Sequence, residues 1–232
     1  MIGVDKNKNQ YLMPGAIVIA GLLISLAIVI DKQPQNIESD TQNEKEKIEE
    51  TSEVMVPINA FDHIRGSRDA EIFFIEYSDY ACGFCGMFHQ TVKQIIEESE
   101  GKVAWIYRHT PYQRGGMALT IASECVTEQL GEDAFWAFTD SLFENQRAAS
   151  PDWALAKAKE LGVNEDQYNE CLTSGKYDDR IQSFMTEARG LGGGGTPFSV
   201  FVNNEGVVQK KFSGAQQYAD VKILLNSVLN SL

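Results

Sequence analysis

The sequence predicts an α/β domain that contains an inserted block of helices and follows a single transmembrane helix. The first observation behind this prediction is an uncharged apolar run over residues 11–30. The second is the order of the predicted elements: strand–helix–strand, several helices, then two strands and a last helix, as is typical of α/β folds. The third is the pair Cys82 and Cys85, which lies where the first of these helices begins. Residues 57–232 are enough for one globular domain.

The apolar run has the length of a membrane-spanning helix, which needs about 20 apolar residues. Lys6 and Lys8 precede it, so the positive-inside rule places residues 1–10 in the cytoplasm and the domain outside it. A cleaved signal peptide is the alternative. Ser25-Leu26-Ala27 has suitable small residues for cleavage, but it lies inside the apolar run. We therefore expect an uncleaved, single-pass signal-anchor over residues 11–30.

The chain is acidic, with 33 Asp and Glu residues against 20 Lys and Arg residues and a formal net charge of -13. This balance argues against nucleic acid as a partner, because phosphate binding requires clustered Lys and Arg. Eight acidic residues and three lysines fall between Asp31 and Glu53. Because it also lacks aromatic residues, segment 31–56 is predicted to be a flexible acidic linker.

The first half of the domain follows a strand–helix–strand pattern. Residues 71–77 are mostly apolar and rich in β-formers, as in a buried strand. Apolar side chains then recur at three- and four-residue steps from Cys82 to about Ser99, which predicts an amphipathic helix. A second strand covers residues 103–109, and Pro111 prevents it from continuing.

Helices dominate the inserted block, from about residue 115 to residue 191. Amphipathic spacing or capping residues predict helices over 117–130 and 133–145, from Ser150-Pro151, from Asn164, and over about 178–190. The glycines at 192–195 end the block. A hairpin with strands 198–202 and 207–212 follows, and a last amphipathic helix covers about 218–229.

Cys82-Gly83-Phe84-Cys85 is the strongest chemical signal in the sequence. Two cysteines separated by two residues can close a disulfide across the first turn of a helix. The unpaired N–H groups and partial positive charge of the helix N-terminus lower the pKa of the first thiol. The alternatives are half of a zinc site or an inert structural bridge. Zinc requires a second ligand pair at short spacing, and the other cysteines, Cys125 and Cys171, are far apart.

Two further features carry weaker signals. Thr196-Pro197 follows a glycine run and precedes a strand, so its peptide bond is a candidate for the cis isomer, although such a pair alone is usually just a turn. Glu76 lies in an apolar strand, six residues before Cys82. A carboxylate there either faces outward or is buried for a function, and its apolar neighbours favour burial.

The other two cysteines and two of the histidines are not expected to take part in catalysis. Cys125 and Cys171 lie on predicted helices, and two spare thiols in an oxidising compartment usually form a disulfide. Two buried free thiols are the alternative. His89 and His109 are expected to be packed or exposed to solvent rather than catalytic.

In combination, these motifs resemble the DsbA-like group of thioredoxin-fold oxidoreductases, specifically its membrane-tethered bacterial members. The matching segments are Glu76–Cys85, Tyr107-Arg108-His109 and Gly195-Thr196-Pro197-Phe198. The resemblance covers residues 57–232 and implies a thioredoxin fold with a helical insertion. It also implies that Pro197 is cis and lies beside the cysteines, that Glu76 exchanges a proton with Cys85, and that Thr196 and Pro197 bind an extended client.

The resemblance implies an extracytoplasmic enzyme that forms or exchanges disulfides in secreted proteins through Cys82 and Cys85. It implies no metal and no organic cofactor. The expected partners are reduced or unfolded secreted proteins and a membrane redox partner of the quinone-reductase type. A reductase or isomerase on the same fold is the first alternative, and a non-enzymatic binding module is the second. The chain departs from the strongest oxidants at Gly83-Phe84, where they carry Pro-His; Phe84 is expected to face solvent and contact clients.

Overall fold

The computed structural model describes residues 54–231. The predicted cytoplasmic segment, the predicted transmembrane helix and nearly all of the predicted linker lie outside these residues. Among the helices in the described part of the chain, none combines the length and apolar character that crossing a bilayer requires.

A five-stranded sheet forms the centre of the domain. Its strands, in chain order, are β1 (His63–Arg65), β2 (Ile72–Ser78), β3 (Val103–His109), β4 (Phe198–Asn203) and β5 (Val208–Ser213). The spatial order is β1-β3-β2-β4-β5. The two central strands, β2 and β3, are parallel, while the other neighbouring pairs are antiparallel. Both central strands are buried along their whole length, as expected for a sheet covered on both faces.

Seven helices accompany this sheet within residues 54–231. They are α1 (Gly83–Glu97), α2 (Gly116–Leu130), α3 (Glu132–Glu144), α4 (Pro151–Leu161), α5 (Glu165–Thr173), α6 (Asp178–Gly190) and α7 (Tyr218–Leu229). Helices α2 to α6 form the insertion between β3 and β4. The side chain of Ser150 caps α4 by accepting from Trp153 N, and that of Asn164 caps α5 by accepting from Gln167 N.

Alternation along β2 divides the core between the two faces of the sheet. Ile72 and Phe74 belong to a large apolar cluster that also contains residues of α1, α7 and the insertion. Phe73, Ile75 and Tyr77 belong to a smaller cluster on the other face, to which α6 contributes Ala188. The insertion therefore adds most of its apolar side chains to the face of the sheet on which α1 also packs.

The domain begins before residue 57, which corrects the predicted extent of the linker. Val56 is fully buried, and its N–H donates to the Gly206 carbonyl over 2.7 Å. Val208 N donates to the Val54 carbonyl, and Met55 forms a β-bridge with Val207. Residues 54–56 thus belong to the domain rather than to the linker, because they pair with the β4–β5 hairpin.

Candidate active site

Cys82 is the N-cap residue of α1, four residues beyond the end of β2. Its carbonyl oxygen accepts the N–H groups of Cys85 and Gly86 over 3.0 and 3.2 Å. Its thiol donates to the carbonyl oxygen of Thr196 over 3.3 Å. Cys82 retains 7% exposure, whereas Cys85, one turn into the helix, has none. Both cysteines are free thiols in the structure.

The local environment stabilises a thiolate at Cys82. A hydrogen bond from the Cys85 side chain is the largest contribution and lowers the pKa of Cys82 to about 5, against the opposing effect of burial. The Thr196 side chain and the backbone N–H groups of Cys85 and Phe84 lower this pKa further. At neutral pH Cys82 is therefore ionised, the state that serves as both nucleophile and leaving group.

Cys85 and Glu76 have pKa shifts in the opposite direction. Burial is the main cause of the raised pKa of Cys85, and the hydrogen bond to Cys82 and, when it is ionised, the carboxylate of Glu76 add to it. Glu76 is completely buried, and this raises its pKa to about 8. Among residues 54–231, neither of its carboxylate oxygens finds a hydrogen-bond partner. Glu76 is thus a carboxylic acid at neutral pH.

The loop before β4 brings backbone to the thiol. The Thr196–Pro197 peptide bond is cis, and its Thr196 carbonyl contacts Cys82. On the other side of the bond, the Pro197 carbonyl accepts the Gly214 N–H over 2.8 Å, at the end of β5. Gly193 must lack a side chain, since a Cβ there would lie 2.7 Å from the Phe198 ring and 2.9 Å from the Ala188 carbonyl.

Asp79 fixes the turn between β2 and the cysteines, a role that sequence reasoning did not assign. Its fully buried carboxylate accepts the Ala81 N–H over 2.9 Å and the Gln113 N–H over 2.6 Å. Gly116 makes room for this carboxylate, because a Cβ at that position would lie 2.3 Å from Asp79 Oδ1. An aspartate whose side chain accepts the N–H two residues later forms an Asx-turn, so its place after a buried strand was a usable signal.

Gln146 connects the insertion to the same turn. Its side-chain amide donates to the carbonyls of Tyr80 and Cys82, both over 2.7 Å. A Cβ at Gly86 would lie 2.5 Å from Gln146 Oε1, so glycine in the first turn of α1 allows this approach. No feature of the sequence marks Gln146, because its role arises only when the loop after α3 folds back onto α1.

A cavity of about 900 Å³ lies beside the cysteines, between α1 and the loop after α3. Phe84 and Met87 line it together with Phe143. The first two side chains are 63% and 62% exposed. Large apolar side chains held in solvent next to a reactive thiol form a surface on which an apolar segment of another protein can pack.

The other candidate residues lie away from the thiols or in the core. A disulfide joins Cys125 on α2 to Cys171 on α5, with 5.8 Å between their Cα atoms. His89 is buried, and its Nε2 lies 2.8 Å from Asp140 Oδ1. His109, at the end of β3, is also buried.

Comparison with known proteins places this arrangement in a family. A family model described as thioredoxin matches residues 59–226. The chain belongs to the thioredoxin family. The thioredoxin fold with a helical insertion, predicted from the motifs, is therefore confirmed.

Curated relatives of this thioredoxin-family chain include antiporters and disulfide bond formation proteins. The Na(+)/H(+) antiporter NhaA 3 of Salinispora tropica is 29% identical over 65% of this chain, but the match spans only 23% of the antiporter. The probable disulfide bond formation protein D of Bacillus cereus is 26% identical over 60% of this chain and 68% of that protein. The chain thus spans less than a quarter of the antiporter that it matches.

Solved structures give the same fold. Wolbachia pipientis alpha-DsbA1 has a TM-score of 0.67 and 21% identity, over 76% of this chain and 94% of that one. BdbD from Bacillus subtilis has a TM-score of 0.61 and 21% identity, over 73% of this chain and 93% of that one. The resemblance to DsbA-like proteins that the motifs indicated is confirmed by these matches.

Proposed function

We propose that the protein is an extracytoplasmic thiol–disulfide oxidoreductase that forms or exchanges disulfides in secreted proteins. The observation that carries this proposal is the asymmetry of the cysteine pair. Cys82 is slightly exposed at a helix N-terminus with a pKa of about 5, while Cys85 is buried with a raised pKa. One thiol is thus prepared to react with another protein, and the second is held back to complete the exchange.

The reaction starts from the oxidised protein, in which Cys82 and Cys85 share a disulfide. A client thiolate attacks Sγ of Cys82, the bond between the two cysteines breaks, and Cys85 leaves with the electron pair. A second client thiolate then attacks the client sulfur of the mixed disulfide, and Cys82 leaves as a thiolate. The client is oxidised by two electrons and the cysteine pair is reduced by two.

Glu76 supplies the proton that this sequence requires. Cys85 leaves in a buried site where a thiolate is unfavourable, as its raised pKa shows. The carboxylic acid of Glu76, with a pKa of about 8, is protonated at neutral pH and donates to the departing sulfur. In the reverse direction the Glu76 carboxylate takes the proton from Cys85, which then attacks the mixed disulfide.

The client is proposed to bind on both sides of Cys82. Thr196 and Pro197 present backbone next to the thiol, and an extended client segment can pair with this backbone as an added strand. Phe84 and the cavity that it lines accept apolar client side chains. Both contacts are independent of a particular client sequence, which suits an enzyme for unfolded proteins.

The proposed location is the outer side of a bacterial cell membrane, with residues 11–30 as an uncleaved anchor. The uncharged apolar run and the Cys125–Cys171 disulfide support this location, because disulfides persist outside the cytoplasm. A membrane protein of the quinone-reductase type is the proposed partner that restores the Cys82–Cys85 disulfide. A C-terminal reporter that is active only outside the cytoplasm tests the location, provided that it remains in the membrane fraction.

Trapping the mixed disulfide tests the proposed reaction. In the full-length Cys85→Ser variant, with Cys82 held as a mixed disulfide with glutathione, a thiolate of a reduced, unfolded secreted protein should attack Cys82 Sγ, release glutathione and form a covalent complex. The matched Cys82→Ser variant should form none, since its remaining thiol is buried. If both variants trap the client equally, or neither does, the assigned roles of the two cysteines are wrong.

A further inference from the structure

Two histidines and two glutamates meet where β1 and the end of β3 lie against α2 and α3. His63 lies on β1, His109 ends β3, Glu124 lies on α2 and Glu132 begins α3. His63 and Glu124 are 4% and 2% exposed, and His109 is fully buried. One nitrogen from each histidine and one oxygen of Glu124 lie within 4.8 Å of one another.

The hydrogen bonds of His63 leave an unpaired acceptor at the centre of this cluster. His63 Nδ1 lies 3.1 Å from Glu132 Oε2, and a carboxylate oxygen can only accept. Nδ1 therefore carries the hydrogen, and in the neutral ring Nε2 has an unshared electron pair and can only accept a hydrogen bond. That lone pair lies 3.3 Å from Glu124 Oε1, another acceptor. Two acceptors at this distance require a positive species between them, either a proton or a metal ion.

His109 distinguishes between these two occupants. Its Nε2 also lies 3.3 Å from Glu124 Oε1, yet neither of its ring nitrogens has a hydrogen bond to any atom of residues 54–231. A proton on His63 satisfies His63 and Glu124 but leaves this buried imidazole unpaired, at a cost of about 1–3 kcal/mol. A metal ion satisfies all three groups at once.

Two of the three distances between the ligand atoms agree with a tetrahedral ion, and the third is below 4.8 Å. Ligand atoms at about 2.0–2.1 Å from such an ion are about 3.3 Å apart, the value found from Glu124 Oε1 to each histidine nitrogen. The contact of His63 Nδ1 with Glu132 is the outer carboxylate that orients a metal-binding histidine. Arg180 pairs with the other oxygen of Glu124 and leaves Oε1 facing the histidines.

Solvent reaches this cluster through a cavity of about 420 Å³, whose lining includes His63, Glu124, Glu132 and Arg180. An ion can therefore enter without unfolding of the domain, and a water molecule from the cavity can complete its coordination. Two imidazoles and one carboxylate with an open fourth position are a recognised ligand set for Zn²⁺.

We propose that His63, His109 and Glu124 form a Zn²⁺ site that joins the sheet to the helical insertion. The three ligands come from β1, β3 and α2, so the ion links the thioredoxin core to the insertion. This site goes beyond the proposed redox function and does not depend on it. The sequence predicts no metal here because its ligands are far apart in the chain and follow no short-spacing pattern.

Zinc titration of the full-length protein with Cys82 and Cys85 oxidised tests the proposal. Oxidation removes the only free thiols of the described chain as competing ligands. We expect one Zn²⁺ per chain, displaced by protons as the pH falls, and visible absorption of a tetrahedral ion when Co²⁺ is used instead. His63→Gln and His109→Gln should each weaken Zn²⁺ binding at least tenfold. His89→Gln is the matched control, since the third histidine of the chain contacts Asp140 instead.

Two further measurements protect the test against misfolded variants. Glu132→Gln changes a side chain that is 41% exposed, so the fold should tolerate it. Its amide N–H₂ donates to His63 Nδ1 and moves the ring hydrogen to Nε2, which should weaken Zn²⁺ binding about 10- to 100-fold. In wild-type protein, Zn²⁺ should shift the NMR signals of His63 and His109 but not those of His89. Absence of stoichiometric binding, equal loss in His89→Gln, or unchanged binding in His63→Gln and His109→Gln would each overturn the proposal.

Discussion

The thiol of Cys82 lies 3.3 Å from the carbonyl oxygen of Thr196, the residue whose peptide bond with Pro197 is cis. The reactive sulfur and the backbone proposed to bind the client are therefore in direct contact before any client arrives. An extended segment that pairs with this loop brings its own sulfur to the same place. This contact brings the reacting sulfur atoms close together, and the helix N-terminus stabilises the thiolate of Cys82.

The first prediction concerns the ionisation of Cys82. In reduced protein, its alkylation rate should rise with pH and reach half its maximum at about pH 5, while Cys85 remains unlabelled. Mass mapping after brief exposure to iodoacetamide measures both rates. A midpoint at about pH 8.5, the pKa of an unperturbed thiol, would contradict the lowered pKa of Cys82.

The same shift makes the stability of the reduced protein depend on pH. The pKa of Cys82 is lower in the folded state than in the unfolded state, so folding releases this proton between about pH 5 and pH 8.5. Its contribution to the free energy of unfolding should thus be present above about pH 8.5 and lost as the pH falls through about 5. Cys82→Ser is the reference protein, because it lacks this contribution at every pH.

The second prediction concerns Glu76. Glu76→Gln removes the proton donor for Cys85, so the rate of mixed-disulfide formation at pH 7 should fall on the order of 10²-fold. Alkylation of Cys82 in this variant should remain fast. Stopped-flow measurements on a client peptide with two cysteines follow the first step, and the release of the oxidised peptide follows the second. We expect a slower first step with an unchanged second step, because Cys85 leaves in the first step; an unchanged first step would assign Glu76 a different role.

Glu76 also gives a stability test with a defined sign. Its pKa is about 8 in the folded state, above the ordinary value of 4.5, so the wild-type protein loses stability as the pH rises between these values. Relative to wild type, Glu76→Gln should therefore become more stable as the pH is raised from 4.5 to 8. Thermal unfolding at several pH values measures this difference, and a constant difference would mean that Glu76 is ionised in the folded protein.

The third prediction concerns Asp79, which holds the turn before Cys82. In Asp79→Asn, one oxygen still accepts a backbone N–H, but the amide N–H₂ faces the other donor. The variant should lose about 1–3 kcal/mol of stability. Asp69→Asn, at an exposed position, is the matched control and should stay within about 0.5 kcal/mol of wild type. Urea unfolding compares the three proteins; equal stability of the two variants would show that the Asp79 contacts do not hold the turn.

The fourth prediction concerns the disulfide between α2 and α5. Cys125 and Cys171 are 46 residues apart, so the chain-entropy model gives a stabilisation of about 4 kcal/mol. The double Cys125→Ala and Cys171→Ala variant should be less stable by this order, with the alkylation behaviour of Cys82 unchanged. Urea unfolding of oxidised protein measures the loss. A change below about 1 kcal/mol would mean that the bridge adds little to the folded state.

The fifth prediction concerns the reduction potential of the Cys82–Cys85 pair. The Cys82 thiolate is stabilised without an imidazole between the cysteines, so the potential should lie between about -270 mV, as in thioredoxin, and about -120 mV, as in DsbA. Phe84→His adds a cationic donor next to this thiolate and should raise the potential, with about 30 mV for each 1.4 kcal/mol. Phe84→Leu is the control for loss of the aromatic ring. Titration against glutathione measures all three; a wild-type value below the thioredoxin figure would favour a reductase instead.

The long periodic elements of this fold could be predicted from the sequence, because each carries its own pattern. The strand before Cys82 and the helix after it are examples. The short strand β1 could not, because His63–Arg65 has no pattern of its own and is held by pairing with β3, where His63 lies opposite Tyr107. The place of residues 54–56 in the domain could not be predicted either, since their partners are the residues of a distant hairpin.

The residues of the candidate site also differ in whether the sequence alone can predict them. Cys82 and Cys85 form a local motif, so they could be found without the fold. Gln146 acts through a loop that reaches the cysteine turn only after the insertion has folded. The cluster of His63, His109 and Glu124 combines residues of two strands and a helix, and no spacing pattern in the sequence predicts it. Tertiary contacts between distant segments are what the sequence pattern alone does not contain.

The pairing of residues 54–56 with the β4–β5 hairpin places the start of the domain at the end that is remote from the cysteines. The turn of this hairpin and the cis peptide bond lie at opposite ends of β4, which is six residues long and therefore about 20 Å in extent. The chain thus enters the domain near the end of β4 that lies away from the cysteines. A label, a bead or a fusion partner attached ahead of residue 54 would leave the reactive face unobstructed, so the enzyme can be immobilised through this end with the Cys82 face directed towards the solution.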